Sequence, residues 1–338
     1  MERLHIPRRR RNLLAVGAAA ALVGGAAAYK KVASSRAASR DPGATGGTPP
    51  TGTDTGFAQL GWGELEVPAP INLVTPDGAN LAVWDVGSGP VAVLPHCWGC
   101  SHAVWIPVAR RLVDSGHRVV LYDQRGHGAS TQGAARLSIE ILADDLAAVL
   151  DSRAIEDAVL AGHSMGGMSI MSLATYRPDV LTARAHAIVL VATAAGDMGS
   201  GPPGAERLAA GVIASPAVSL ALRASSGHRF VRGVFGTDPV RAQMDLTRTL
   251  FADTAPAVRA GFMIAMSRMN LLEGIATIGV PTTVIVGSKD RLTAPARAAQ
   301  LVAAIPGAHL VTLPGRGHML PLEDPDAVTE EIVRAFTA

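Results

Sequence analysis

Ala158-Val159-Leu160-Ala161-Gly162-His163-Ser164-Met165-Gly166-Gly167-Met168-Ser169-Ile170-Met171 passes from a short apolar run, through G-x-S-x-G, into a helical pattern that ends before Pro178. An unbroken apolar run such as Ala158–Ala161 is what a strand buried on both faces requires, and Met165–Tyr176 reads as the helix that follows it. A serine on so sharp a strand-to-helix turn projects its hydroxyl outward. The flanking glycines let the backbone crowd without a Cβ clash, and the helix N-terminus beside it favours developing negative charge. The plainer alternative for Ser164 is an ordinary turn serine.

Outward from this turn, strand-like and helix-like runs alternate. Ile71–Val74 and Leu81–Val86 flank Pro76-Asp77-Gly78 and predict a hairpin. Val91–Leu94, Arg118–Tyr122, Ala187–Val191, Thr283–Val286 and Leu310–Leu313 predict further buried strands. Between them, helical spacing marks Ala103–Val113, a segment capped by Ser138 and running to Asp151, Pro295–Ile305 and Asp326–Phe336. This alternation predicts an α/β fold with a mostly parallel sheet. Residues 194–273 break it. They carry helical patterns, including Asp238 as an N-cap before Pro239, and are too long for a loop. They read as a helical lid over a pocket, in which Met198, Met244, Met263, Met266 and Met269, with Leu220, Phe235, Leu250 and Phe262, supply mainly packing.

A serine hydroxyl becomes a useful nucleophile only when a base takes its proton, and that base must follow a strand to reach the same sheet edge. Of ten histidines, His309 and His186 begin strands, His5 lies near the N-terminus, and His163, as the serine's neighbour, is expected to point elsewhere on the turn. His318 follows Leu310–Leu313 and is the expected base. The imidazolium then needs a carboxylate. Asp290, after Thr283–Val286, is the expected partner, with capping of the helix near Pro295 as its other reading and Asp197 as its rival.

Leu94-Pro95-His96, Tyr122-Asp123-Gln124-Arg125-Gly126-His127-Gly128, Gly162–Gly167, Gly287-Ser288-Lys289-Asp290-Arg291 and Gly315-Arg316-Gly317-His318 together resemble the α/β-hydrolase superfamily from about residue 65 onward. Within it the chain is similar to the lidded esterases, non-haem haloperoxidases and C–C bond hydrolases. The resemblance implies a mostly parallel sheet flanked by helices with a helical lid. It also implies the triad Ser164, Asp290 and His318, and an oxyanion hole from the backbone N–H groups of Trp98 and Met165. It gives Asp123 and His127 a structural part. The family's usual His-Gly-x is replaced here by His96-Cys97-Trp98-Gly99-Cys100, which leaves the pair Cys97 and Cys100 open to three readings: free thiols, a short disulfide, or redox chemistry. Serine at the elbow argues against dehalogenase and epoxide hydrolase chemistry, whose family members use aspartate there. The expected activity is hydrolysis of a small to medium apolar ester. C–C bond hydrolysis or perhydrolysis by the same triad is the alternative, and a non-catalytic binding protein the third. No cofactor or metal is implied, and the sequence is silent on oligomeric state.

Charge is unevenly spread along the 338 residues. Nine of the 30 Lys and Arg fall within residues 1–40 beside a single acid, and the rest of the chain is net acidic. A net acidic body argues against nucleic acid as a partner. Arg8–Arg11 before the uncharged run Leu13–Ala28 has the layout of an export signal, and residues 1–32 are expected to be either such a signal or a membrane anchor, with an Ala-rich cytosolic extension as the alternative. Residues 33–62 read as a flexible linker. N-terminal sequencing of protein from its native cells tests the segment: cleavage after Ala28 leaves Tyr29 first, and an anchor leaves the intact chain in the membrane fraction. An intact chain in the soluble cytosolic fraction removes both readings.

Overall fold

The computed structural model describes residues 68–196, 198, 204–224 and 226–338; the segments read as export signal or anchor (1–32) and as linker (33–62) lie outside them. Eight strands form one sheet: β1 (Ile71–Val74), β2 (Asn80–Val86), β3 (Val91–Pro95), β4 (Arg118–Tyr122), β5 (Ala158–His163), β6 (Ala185–Val191), β7 (Thr282–Gly287) and β8 (His309–Leu313). Their spatial order is β1-β2-β4-β3-β5-β6-β7-β8. β2 runs antiparallel to β1 and β4, and the strands from β4 to β8 are mutually parallel. The hairpin closes as its turn residues dictate: Gly78 sits at φ +81°, and its N–H donates to the Thr75 carbonyl at 2.9 Å.

Helices cover both faces. In chain order they are α1 (Ile106–Asp114), α2 (Glu140–Ser152), α3 (Met165–Tyr176), α4 (Pro178–Arg184), α5 (Ala205–Ile213), α6 (Pro216–Arg223), α7 (His228–Val231), α8 (Arg241–Asp253), α9 (Pro256–Arg268), α10 (Pro295–Ala304), α11 (Leu320–Glu323) and α12 (Pro325–Ala335). The core divides into two clusters because successive strand residues face opposite ways. Val93, Leu160 and Leu190 pack with residues of α2, α3 and α10, whereas Leu94, Val159 and Val191 pack with α1 and α12. Burial on both faces is why the central strands read as continuous apolar runs.

Two expected helix starts move. The segment Ala103–Val113 opens as a 3-10 turn, His102–Trp105, before α1 begins. Pro107 has no N–H to give the Ala103 carbonyl, so Ile106 supplies it in the tighter pattern. Asp238 does not cap a helix. The next helix, α8, begins at Arg241 with Val240 in the cap position. The Thr237 N–H is held by the Gly315 carbonyl at 2.8 Å, the chain bends at Thr237 and Asp238, and Val240 is extended.

Between β6 and β7 the described residues make the five α-helices α5–α9, two 3-10 turns and no named strand. This insertion has its own apolar cluster, in which Ile213, Val218, Leu222, Phe251 and Ala252 meet Trp98 and Met263. Among the described residues no single helix is long and apolar enough to cross a membrane.

The buried Arg125 ties the hairpin to α2. Its guanidinium grips both Asp145 oxygens at 2.6 Å and reaches Asp77 Oδ2 at 2.9 Å. Removing one partner of such a pair strands a buried charge, so Asp145→Ala is expected to cost about 3–5 kcal/mol of stability. Denaturant unfolding measures it; a loss under about 1 kcal/mol would show the pair to be dispensable.

Candidate active site

Ser164 stands between β5 and α3 at φ 53°, ψ −114°, a backbone conformation that L-residues rarely adopt. Such strain costs on the order of 1–3 kcal/mol and persists only where the surroundings enforce it. Here its N–H donates to the Val191 carbonyl at 2.9 Å, and its carbonyl accepts from Thr193 Oγ1 at 2.7 Å. Glycines permit the crowding. A Cβ at Gly166 would lie 2.0 Å from the Pro95 carbonyl oxygen, and one at Gly162 would meet the Gly166 backbone at 2.5 Å.

The carboxyl ends of β7 and β8 deliver the other two groups. His318 Nε2 lies 3.0 Å from Ser164 Oγ, and His318 Nδ1 lies 2.9 Å from Asp290 Oδ2. All three residues are buried. Asp290 Oδ1 accepts the N–H groups of Leu292 and Thr293 at 2.8 and 2.9 Å, and Thr293 Oγ1 donates to Oδ2 at 2.7 Å. Burial alone would raise the Asp290 carboxyl, but His318 and these hydrogen bonds outweigh it and hold it below the ordinary carboxylate range. Its stabilising contribution is therefore present above about pH 4 and is lost as pH falls through the lowered folded value.

Asp197, the rival acid, lies outside the described residues. His163 points away from the Ser164 hydroxyl, as expected. It donates from Nε2 to the His318 carbonyl at 2.8 Å, beneath the catalytic ring. Burial, with His318 adding to it, drives the His163 pKa down to about 3, so it acts as a neutral support. Asp123 and His127 sit in a buried turn. Asp123 Oδ1 accepts from the backbone N–H of His102 at 2.7 Å, and His127 Nδ1 donates to the Arg125 carbonyl at 3.0 Å.

Three supports escaped the sequence reading. Thr293 braces Asp290. Glu323 accepts N–H groups from Gly317 and Met319, on either side of His318, at 2.9 and 3.0 Å, and from Gly236 of the insertion at 2.7 Å. Gln124 accepts at Oε1 from Ser169 Oγ of α3 at 2.7 Å and donates its amide to the His96 carbonyl, joining the elbow helix to the loop after β3. No periodicity marks these residues, and only Gln124 falls within one of the quoted motifs. Their partners lie far away in sequence or in loops.

The expected oxyanion donors flank the elbow. Met165 is the first residue of α3, and Trp98 is half-buried in the loop after β3, whose first carbonyls, Pro95 and His96, abut Gly166. The indole of Trp98 donates to the Arg259 carbonyl at 3.1 Å, so the lid helix α9 fixes this loop. Gly99 takes the place that a side chain could not: a Cβ there would lie 2.2 Å from the Phe251 ring. Cys97 and Cys100 are both buried free thiols, and burial pushes the Cys97 thiol up. In this structure the pair takes the free-thiol reading. A buried thiol with a raised pKa is a packing group.

The geometry can activate a serine and relay its proton. Residues 92–331 match the family model described as Alpha/beta hydrolase family. A pimeloyl-[acyl-carrier protein] methyl ester esterase from Xanthomonas campestris pv. campestris (strain B100) is 29% identical over 256 residues, covering 75% of this chain and 97% of that protein. The 3-oxoadipate enol-lactonase 1 of Acinetobacter baylyi is 30% identical over 225 residues, which is 66% of this chain and 80% of that one. Among solved structures, an enol-lactonase from Burkholderia xenovorans LB400 superposes with a TM-score of 0.64 at 28% identity, covering 77% of this chain and 97% of that chain.

Asp290→Asn is expected to lower kcat by about 10⁴, the cost of a mis-set histidine in a related triad, while Asp197→Asn changes it little. Steady-state kinetics of the two variants decide; the reverse ranking would give the acid to Asp197.

Proposed function

The chain belongs to the alpha/beta hydrolase family, and from that premise we propose that it is a carboxylic ester hydrolase working through an acyl-enzyme on Ser164. The observation that carries this reading is the continuous buried relay from Ser164 Oγ to His318 Nε2 at 3.0 Å and from His318 Nδ1 to Asp290 at 2.9 Å. His318 Nε2 takes the hydroxyl proton as Oγ attacks the acyl carbon. The carbonyl oxygen becomes an oxyanion held by the N–H groups of Met165 and Trp98, where each donor is worth about 3–4 kcal/mol of barrier. His318 returns the proton to the leaving alcohol, and Asp290 holds the imidazole in the tautomer this requires. Water, activated by the same histidine, then releases the acid. No step calls for a cofactor.

Acyl–oxygen cleavage is favoured over C–C cleavage because the named relatives are an esterase and lactonases. The substrate class proposed is an ester with an apolar chain, since the lid residues Phe251 and Met263 cluster with Trp98 of the loop after β3. Export or membrane attachment of the N-terminal segment is part of this proposal and rests on the sequence alone.

A fluorophosphonate probe is expected to label the protein at Ser164 and to leave Ser164→Ala unlabelled. The variant is also expected to lose about 10⁶ in kcat on p-nitrophenyl acyl esters, as loss of the nucleophile does in another triad enzyme. Retention of more than about 1% of turnover would refute Ser164 as nucleophile. Faster hydrolysis of a vinylogous diketone than of any acyl ester would move the assignment to C–C cleavage.

A further inference from the structure

Arg259, on α9, is a buried cation without an anion among the described residues. Its side chain is inaccessible to solvent, yet among the described residues its partners are only the Phe251 carbonyl, 3.3 Å from Nη1, and Ser219 Oγ, 2.7 Å from Nη2. Nε has no partner. Arg125, buried to a similar degree, shows what the fold does with a structural arginine: two aspartates hold it. A buried guanidinium is strongly disfavoured unless a carboxylate or phosphate compensates it. The surroundings of Arg259 aggravate this. Burial, and the charge of Arg223 beside it, push its guanidinium down.

The position of Arg259 relates it to the reaction. Its carbonyl receives the Trp98 indole N–H at 3.1 Å. Its guanidinium lies 5.1 Å from the centre of the Phe251 ring, which in turn packs edge-on against Trp98 with centroids 5.1 Å apart. The charge thus stands one aromatic ring beyond the loop assigned to the oxyanion, among the apolar side chains Ile213, Val218 and Leu222 of the lid. A guanidinium set beside an apolar cluster and next to the Trp98 loop suits a hydrocarbon chain that ends in a carboxylate.

We propose that Arg259 and Ser219 seat a carboxylate at the far end of the substrate, so that the preferred esters carry an apolar chain terminated by an anion. This rests on the ester hydrolase reading and narrows its substrate class. A guanidinium binds a carboxylate through paired, charge-assisted hydrogen bonds, and Nε, unpartnered now, supplies one of the donors.

The test compares esters matched in length. On the acyl side, mono-p-nitrophenyl adipate is set against p-nitrophenyl hexanoate; on the alcohol side, 4-carboxyphenyl hexanoate is set against phenyl hexanoate. In the wild-type chain, kcat/KM is expected to favour the anionic member of one pair by about tenfold or more, the worth of a hydrogen bond to a charged group. Arg259→Met is expected to abolish that ratio, and Arg259→Lys to keep part of it. Removing an unpaired charge is also expected to leave the melting temperature of the ligand-free Arg259→Met protein equal or higher. Wild-type protein without preference in either pair overturns the inference, whatever the variants do. So does a loss in Arg259→Met shared equally by both members of a pair, or a marked fall in its melting temperature, either of which makes Arg259 a structural group. Hydrolysis of the neutral esters separates the two proposals, because it reports on Ser164 alone. If no ester is turned over, adipate still reports on the seat: it should raise the melting temperature of the wild type and not of Arg259→Met.

Discussion

Everything at the catalytic end of this fold depends on how closely α3 approaches β3. The Gly166 Cα sits where a single methyl group would come within 2.0 Å of the Pro95 carbonyl oxygen. That proximity places the elbow against the carboxyl end of β3 and the loop that follows it. It also forces Ser164 into its positive-φ conformation, which no helix cap or ordinary turn would demand. The strain is sustained by hydrogen bonds on both sides of the serine and by two buried clusters that fix the sheet between them. A stiff scaffold can hold a strained nucleophile at little cost to its precision.

The charge relay is built on the same principle of enforced position. Asp290 accepts four hydrogen bonds, from Leu292, twice from Thr293, and from His318, so it remains an anion although buried. Below His318, His163 is kept neutral by burial and serves as a donor to the backbone of the catalytic loop. Glu323 gathers the N–H groups on both sides of His318 together with that of Gly236. One carboxylate thereby couples the base to the lid. The Trp98 indole bond to α9 is a second such coupling, on the oxyanion side. Both link the lid to groups that must be placed to fractions of an ångström for chemistry.

The lid itself has a split character. Phe262 and Val258 of α9 close against the body of the fold, where Gly126 leaves room for Val258. Arg259 turns the other way, into the lid's own cluster. One helix therefore packs onto the body of the fold and carries a charge into an apolar layer. Packing explains the first property. A ligand's charge is the physical reason offered for the second.

Much of this was legible in residue order. Strand runs such as Arg118–Tyr122 and Val91–Leu94 announce themselves because a parallel sheet covered on both faces tolerates only apolar residues. Ser164 and His318 could be found because the hydrolase chemistry needs a serine at a strand-to-helix turn and a histidine after a later strand, and both positions are fixed by local pattern. Thr293 and Glu323 could not, since side-chain bonds within a loop leave no periodic mark even when Asp290 and Met319 lie three and four positions away, and Gln124 could not, since Ser169 and His96 are brought to it only by folding. The same holds for His163: its sequence neighbourhood says nothing of the His318 carbonyl it meets 155 positions later. The Asp238 cap failed because Gly315 captures Thr237 from across the fold, and a local signal yields to a distant hydrogen bond. The sequence by itself determined the layers of the fold and the chemical types at its catalytic edge, because periodicity and turn chemistry act over a few residues. Only the tertiary structure decided which polar groups are satisfied, that Cys97 and Cys100 are buried thiols, and that Arg259 is left with no counter-charge among the described residues, because burial and pairing are properties of residues that meet from far apart in the chain.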